Sequence, residues 1–271
     1  MFKITVLGSG SGGNCTLVEG DGTRVLVDAG FSGKEIRERL LQVGCTPEGL
    51  DAVLLTHEHG DHTKGLPALC GRMNIPLYCN KLTGEAVEEA LPKFSHWRYF
   101  ATGDAFPIKN FTIQSFMIPH DAQDPVGFVI RQGALAFGFA TDLGHATHLV
   151  TERIRGCNAM VLESNYDLQM LQQDTKRPWD VKRRIQNRHG HLSNEDAAAL
   201  AAEVAHAGLQ HILLGHLSGD CNTPELALRA TTSALQEKHP HIRIAVLAQD
   251  QVNPSVDLEA NNPNVPQNLS R

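Results

Sequence analysis

The sequence has no Cys-x-x-Cys pair, no apolar run of membrane-spanning length and no surplus of basic residues. Each absence excludes something. The six cysteines, at positions 15, 45, 70, 79, 157 and 221, are scattered, so no zinc-ribbon spacing or disulfide framework is legible. The apolar stretch in "AVLLTHEHG" breaks within a few residues, and no membrane helix is expected. The net charge is -6. Nothing global draws the protein to nucleic acid or to an anionic membrane, and any phosphate-binding surface must be local. The first residues read as a strand, without the basic start and apolar core of a signal peptide. Reduced thiols and a cytoplasmic location are therefore expected.

Histidine is in unusual supply, with fourteen residues, several of them clustered. Clustered imidazoles are a common route to a transition-metal site. The chain also opens with "KITVLGSGSGGNCTLVEG". Gly8, Gly10 and Gly13 match G-x-G-x-x-G, and an acid, Asp28, follows twenty residues after Gly8. A dinucleotide site needs a helix after the glycines, because the helix N-terminus holds the pyrophosphate. Here Asn14-Cys15-Thr16-Leu17-Val18 is strand-like, then a Gly-Asp-Gly turn leads to a second strand ending at Asp28. The pattern is a hairpin, and no nicotinamide or flavin cofactor is expected. The glycines then serve either a tight turn or the rim of a site. On the second reading Ser9, Ser11 and Asn14 are candidate hydrogen-bonders to a ligand loop or to a substrate phosphate.

Along the chain, strand-like and helix-like stretches alternate. Residues 2–7, "NCTLVEG", "TRVLVDAG", "LDAVLLT", "IPLYC", 110–118, 126–131, 134–140, "CNAMVLES", "QHILLGH" and "RIAVLAQD" read as strands. "SGKEIRERLLQVG" reads as a helix capped by Ser32, with Ile36, Leu40 and Leu41 on its apolar face. "SNEDAAALAAEVAHAG" starts with a capping-box variant, Ser193 to Asp196, and "TPELALRATTSALQEKH" is another helix. This predicts an α/β fold in layers on large sheets. One domain is expected over 1–252, and the Asn/Pro-rich segment 253–271 is expected to be a disordered tail.

"LDAVLLTHEHGDHTKG" places His57, His59, Asp61 and His62 in a short turn directly after a buried strand. A solvated His/Asp loop is the plain alternative, but it leaves this crowd of imidazoles at a strand end unexplained. Other metal-capable side chains also follow apolar strands: His120 in "FMIPHDAQDP", Asp142 in "LAFGFATDLGH" and His216 in "HILLGHLSGD". Ligands at successive strand ends are how a site is assembled on a sheet rim.

T-H-x-H-x-D-H, with Asp28, His120, Asp142 and His216 in this order, resembles the metallo-β-lactamase superfamily from about residue 3 to about residue 250. The resemblance implies an αββα sandwich, two mixed β-sheets between helical layers. It implies two divalent metal ions, with His57, His59 and His120 on one, Asp61, His62 and His216 on the other, and Asp142 bridging. Asp28 would stand behind the ligating imidazoles and orient the loop. A hydroxide bridging the ions would be the nucleophile. Such ligands suit zinc, and the carboxylate-rich second site also admits manganese or iron.

That superfamily cleaves β-lactams, thioesters, lactones and phosphodiesters, so the fold alone decides little. "VLESNYD" carries Glu163 and "GHLSNEDAAALA" carries His191. These resemble motifs of RNase Z-type nucleases, in which a His/Glu pair supports proton delivery to the leaving oxygen. A solvent-facing carboxylate and a capping or packing histidine are the alternatives. Between them "TKRPWDVKRRIQNRHGH" gathers Lys176, Arg177, Lys182, Arg183, Arg184 and Arg188. Lys182, Arg183, Arg184 and Ser193 are candidate substrate-binding residues, with Trp179 free to stack on a base. A solvated basic helix face with a core Trp is the other reading.

"GSGSGGNC", "THEHGDH", "HDAQDPVGF", "ATDLGH", "LESNYD", "GHLSN" and "HLSGDCNTPE" together resemble the YycJ-type (WalJ) group of bacterial metallo-β-lactamase-fold proteins. That group is associated with 5′→3′ exonuclease activity on DNA. The chain has no room for a β-CASP insertion between Asp142 and His216, and no long protruding exosite arm. The expectation is a dinuclear phosphodiesterase that acts on DNA rather than RNA, with Asp61, His191 and Glu163 as catalytic residues. A small-molecule hydrolase on the same metals, or a non-catalytic accessory protein, are the alternatives. His145 is a candidate for the pocket wall and His148 for a helix surface.

Overall fold

A computed structural model describes residues 1–259. In chain order the elements are β1 (Phe2–Gly8), β2 (Cys15–Gly20), β3 (Thr23–Val27), α1 (Gly33–Gln42), β4 (Ala52–Leu54), α2 (Gly60–Thr63), β5 (Leu77–Cys79), α3 (Lys81–Val87), β6 (Trp97–Tyr99), β7 (Ala105–Ile108) and β8 (Phe111–Met117). They continue with β9 (Val126–Gln132), β10 (Leu135–Ala140), α4 (His148–Ile154), β11 (Ala159–Glu163), α5 (Leu168–Gln173), α6 (Trp179–Gln186), α7 (Asn194–Val204), β12 (His211–Gly215), α8 (Pro224–Leu235), β13 (Arg243–Val246) and β14 (Val256–Leu258).

Two seven-stranded sheets form, in the orders β14-β1-β2-β3-β4-β5-β6 and β13-β12-β11-β10-β9-β8-β7. Both are mixed. β1, β2 and β3 pair antiparallel, whereas β3, β4, β5 and β6 run parallel. In the second sheet β8, β9 and β10 are antiparallel and β10 to β13 are parallel. A sheet with both faces covered must bury side chains of both parities, which is why "VLVDAG" and "HILLGH" read as continuous apolar runs.

The interior has three layers of apolar packing. Phe2, Ile4, Val25, Phe111, Phe128, Phe137 and Val161 fill the space between the sheets. Ile36, Leu40, Leu66 and Leu69 pack on the outer face of the first sheet. Leu200, Ala201, Val204, Ala227 and Leu235 pack on the outer face of the second. This is the expected αββα sandwich.

Two expectations change. On α1, Leu41 faces solvent, 55% exposed, and Arg39 is buried instead. Its guanidinium donates to the carbonyls of Leu7 and Gln249, so a charged residue ties the helix to the end of β1. The segment from 253 is also structured at its start. Asn253 is buried and donates through Nδ2 to the carbonyls of Val6 and Ala248. Val256–Leu258 then pairs with β1 and covers that sheet edge. Polar composition hid a three-residue strand whose partner lies at the other end of the chain. The remainder of the expected tail, 260–271, lies outside the described residues.

Candidate metal centre

The parallel topology puts the C-terminal ends of β3, β4, β10, β11 and β12 at one rim, and the chemistry-bearing side chains follow these ends. Asp28 follows β3, His57 follows β4, Asp142 follows β10, Glu163 ends β11 and His216 follows β12. His120 enters from the segment after β8. Asp28, Asp142 and His216 have φ of 62°, 56° and 57°. Non-glycine residues rarely adopt this left-handed region, and three at one rim mark strain held by the surroundings.

The donor atoms converge. Those of His57, His59 and His120 lie within 4.8 Å of one another, and so do those of Asp61, His62 and His216. His57 Nε2 is 3.1 Å from His59 Nδ1, and His120 Nε2 is 3.3 Å from the same atom. Asp142 stands between the groups, with Oδ2 3.3 Å from His62 Nε2 and Oδ1 3.4 Å from His216 Nε2. Asp142 Oδ2 is buried and makes no hydrogen bond within the protein. Three imidazole nitrogens facing each other and an unclaimed buried carboxylate oxygen fit bound cations. Hydrogen bonding alone does not satisfy them.

The far side of the rings sets which nitrogen is offered. Asp28 Oδ2 lies 2.8 Å from His62 Nδ1, while its Oδ1 accepts the Thr56 N–H and hydroxyl. Glu163 Oε1 lies 2.8 Å from His216 Nδ1 and 2.9 Å from His191 Nδ1. The main-chain N–H groups of Asp142, Leu143 and Leu192 donate to the same carboxylate. Thr56 Oγ1 is 3.0 Å from His57 Nδ1, and the Gly190 carbonyl accepts from His120 Nδ1 at 3.2 Å. With Nδ1 occupied, Nε2 of His57, His62, His120 and His216 points inward with its lone pair. Asp28 and Glu163 have their oxygens filled by such donors and act from behind the rings.

Electrostatics follow from this burial. Desolvation, then the neighbouring His62, holds the His57 imidazole well below its ordinary range, which favours the neutral ligand form. Burial would raise Glu163, but the His191 and His216 imidazoles outweigh it and hold the carboxyl at about 2.

The glycine turn joins two antiparallel strands, and no helix follows it. Asn14 belongs to the histidine loop: its N–H donates to the Asp61 carbonyl, and Nδ2 is 3.3 Å from both Asp61 Oδ2 and His62 Nε2. Gly30, after β3, packs on the same loop: a Cβ there would come 1.7 Å from the Asp61 carbonyl oxygen, so only glycine allows this approach.

A cleft of about 260 Å³ opens over the donors. Ser11, His59, Asp61, His191 and His216 line it, and α6 walls one side with Val181, Arg184 and Ile185. The predicted substrate residues divide here. Arg184 faces the cleft, with Nε on Asp121. Arg183 is exposed and away from the cleft lining. Lys182 is buried, its ammonium turned inward onto the carbonyls of Gln172 and Asp174. It braces the chain between α5 and α6 and is unavailable to a phosphate. Ser193 is also withdrawn, since its hydroxyl accepts the Asp196 N–H and donates to the Asp196 carboxylate, capping α7. Lys176 and Arg177 pair with Asp220, and Arg177 also with Asp174. Three of the six basic residues, Lys176, Arg177 and Arg184, are thus paired with acids. Trp179 is 67% exposed rather than in the core. His145 bonds the Arg188 carbonyl and guanidinium and is not in the cleft lining, and His148 is exposed at the start of α4.

Sequence reasoning missed Thr56, Asp121 and Gln249. Thr56 and Asp121 each adjoin a ligand-type histidine, which was an available signal. Gln249 had none.

Residues 23–216 match the family model described as "Beta-lactamase superfamily domain". The chain belongs to the metallo-β-lactamase superfamily. Among curated relatives, it is 37% identical over 239 residues to Exodeoxyribonuclease YycJ of Bacillus anthracis, covering 88% of this chain and 90% of that one. It is 35% identical to Exodeoxyribonuclease WalJ of Streptococcus pneumoniae, covering 83% and 85%. The metallo-β-lactamase-fold protein YhfI of Bacillus subtilis shares the architecture at a TM-score of 0.71 and 18% identity, covering 93% of this chain and 98% of its own. This superfamily member is a metal-dependent hydrolase, and its buried His/Asp clusters are consistent with a metal site. Among the described residues no helix is long and apolar enough to cross a membrane.

Proposed function

We propose that this chain is a dinuclear phosphodiesterase that digests DNA from the 5′ end. The relatives named exodeoxyribonuclease support the substrate class. The observation that carries the chemistry is the sharing of Glu163 between His216 and His191. His191 lines the cleft, and its Nε2 has no partner among the described residues. A phosphodiester leaves as a poor alkoxide, and a positioned acid is what that departure needs.

In this reading His57, His59 and His120 would hold one ion and Asp61, His62 and His216 the other, with Asp142 available to both. Two divalent cations there, zinc, manganese or iron, would supply Lewis-acid activation of water and offset charge growing on phosphorus. Asp28 and Glu163 keep the protons of His62 and His216 on Nδ1. His191 carries a proton on Nε2, stabilised as a cation by Glu163, and passes it to the departing oxygen. Arg184 leaves Asp121 for a substrate phosphate. Asn14 holds Asp61 in place.

The test is digestion of 5′- and 3′-labelled single- and double-stranded DNA and RNA by metal-reconstituted protein, at several salt concentrations. Release of nucleotides from the 5′ end of DNA is expected, with steep loss at high salt. His191→Ala should lower kcat by about 10²–10⁴-fold with metal content unchanged. Turnover of small esters alone, or release only from the 3′ end, refutes the reading.

A further inference from the structure

The glycine turn is preorganised, and nearly all of its polar groups are spent. The Ser9 N–H donates to the Ala248 carbonyl, and its hydroxyl donates to Asn14 Oδ1 and accepts the His216 N–H. The Gly10 N–H donates to Asn14 Oδ1, and Asn14 Nδ2 returns a bond to the Gly10 carbonyl. The Gly12 N–H donates to Gln249 Oε1 at 2.6 Å, and the Gly13 N–H donates to the Gly10 carbonyl. Gln249 lies so close that a Cβ at Gly10 would meet its Oε1 at 2.6 Å, and one at Gly12 would meet its amide at 3.0 Å. The glycines let this side chain clamp the loop.

Ser11 is the exception. It is exposed at the tip and lines the cleft beside Asp61, Asp142 and His216. Among the described residues neither its N–H nor its hydroxyl has a partner. α6 also lines this cleft, with Arg184 as its charged group. The carboxylates that line the same cleft are Asp61, Asp121 and Asp142, which repel a phosphate until cations cover them.

We propose that Ser11 is a substrate-binding residue whose hydroxyl and main-chain N–H together hold a non-bridging oxygen of the phosphate being cut. This rests on the phosphodiester reading above. A phosphodiester has two such oxygens, and the one turned away from the His/Asp clusters needs donors from the protein. Two donors on one residue, held between the clamped Gly10 and Gly12, meet that need. The chemical class selected is therefore a phosphoryl group. Thymidine 5′-monophosphate, the product-like fragment of DNA, is the simplest probe.

The experiment compares wild type, Ser11→Ala and Ser11→Thr as full-length, metal-loaded proteins. It measures thymidine 5′-monophosphate binding by calorimetry, kcat and KM on labelled DNA, and metal content. Ser11→Ala should keep its metals and bind the nucleotide about tenfold more weakly, as for one lost hydrogen bond to a charged group. Catalytic efficiency on DNA should fall by a similar factor, and Ser11→Thr should restore both. Wild-type binding and kinetics in Ser11→Ala overturn the inference, as does a loss confined to metal content. If wild type cuts no DNA but Ser11→Ala still weakens nucleotide binding, the exonuclease reading fails and the Ser11 site stands. If wild type does neither, both fall.

Discussion

Replacing Glu163 by glutamine keeps the shape of the side chain and exchanges one acceptor oxygen for a donor. The carboxylate receives five hydrogen bonds. Oε2 takes the N–H groups of Leu143 and Leu192. Oε1 takes the Asp142 N–H and faces Nδ1 of His191 and His216. With the amide oxygen in the Oε1 place, the NH₂ confronts two buried main-chain donors, and two orphaned donors cost about 2–6 kcal/mol. With the amide oxygen in the Oε2 place, one main-chain donor, that of Asp142, is orphaned, at about 1–3 kcal/mol. The two imidazoles can then accept from the NH₂, but only by moving their protons to Nε2. The second arrangement costs less and is the one expected. His216 then loses the lone pair that faces the Asp61–His62 cluster. Glu163→Gln should therefore lower stability by only about 1–3 kcal/mol in urea denaturation with chelator present. Its metal affinity, measured by competition with a chromophoric chelator, should fall about 10–100-fold. Wild-type metal affinity in a folded Glu163→Gln protein would refute the assignment of this carboxylate as the tautomer-setting group.

Two further outcomes follow from the same geometry. His216 has φ of 57°, so in chelator His216→Gly should be about 1 kcal/mol more stable than His216→Ala, although both lose the ligand; equal stabilities would remove the case for strain there. Lys182→Met keeps the aliphatic stem but strips the ammonium from the carbonyls of Gln172 and Asp174. It should cost about 1–3 kcal/mol in denaturation and leave the salt dependence of DNA binding unchanged, whereas loss of a phosphate contact would lower the slope by about one.

Local pattern carried the fold class and the donor set. A strand that ends in T-H-x-H-x-D-H delivers its side chains to one place whatever surrounds it. His120, Asp142, Glu163 and His216 each stand at or just past the end of an apolar run, so parallel strands bring them to the same rim. The hairpin after the glycines was equally local, because the strand-like residues 14–18 leave no room for a helix. The fate of the basic run was not local. Arg184 meets Asp121 across 63 positions, Lys176 meets Asp220 across 44, and Lys182 turns inward because two carbonyls from the chain just before α6 lie beneath it. Gln249 clamps Gly12 across 237 positions, and Val256–Leu258 finds β1 at the other end of the chain. Charge and hydrogen-bonding capacity are written in the sequence. Which partner satisfies them depends on contacts between distant segments, which only the packed sheets decide. "GSGSGGNC" shows both: its hairpin geometry was readable from neighbours, whereas Ala248, Gln249, Asn14 and the Gly10 carbonyl take up the donors of Ser9, Gly10, Gly12 and Gly13 and leave Ser11 open to the cleft.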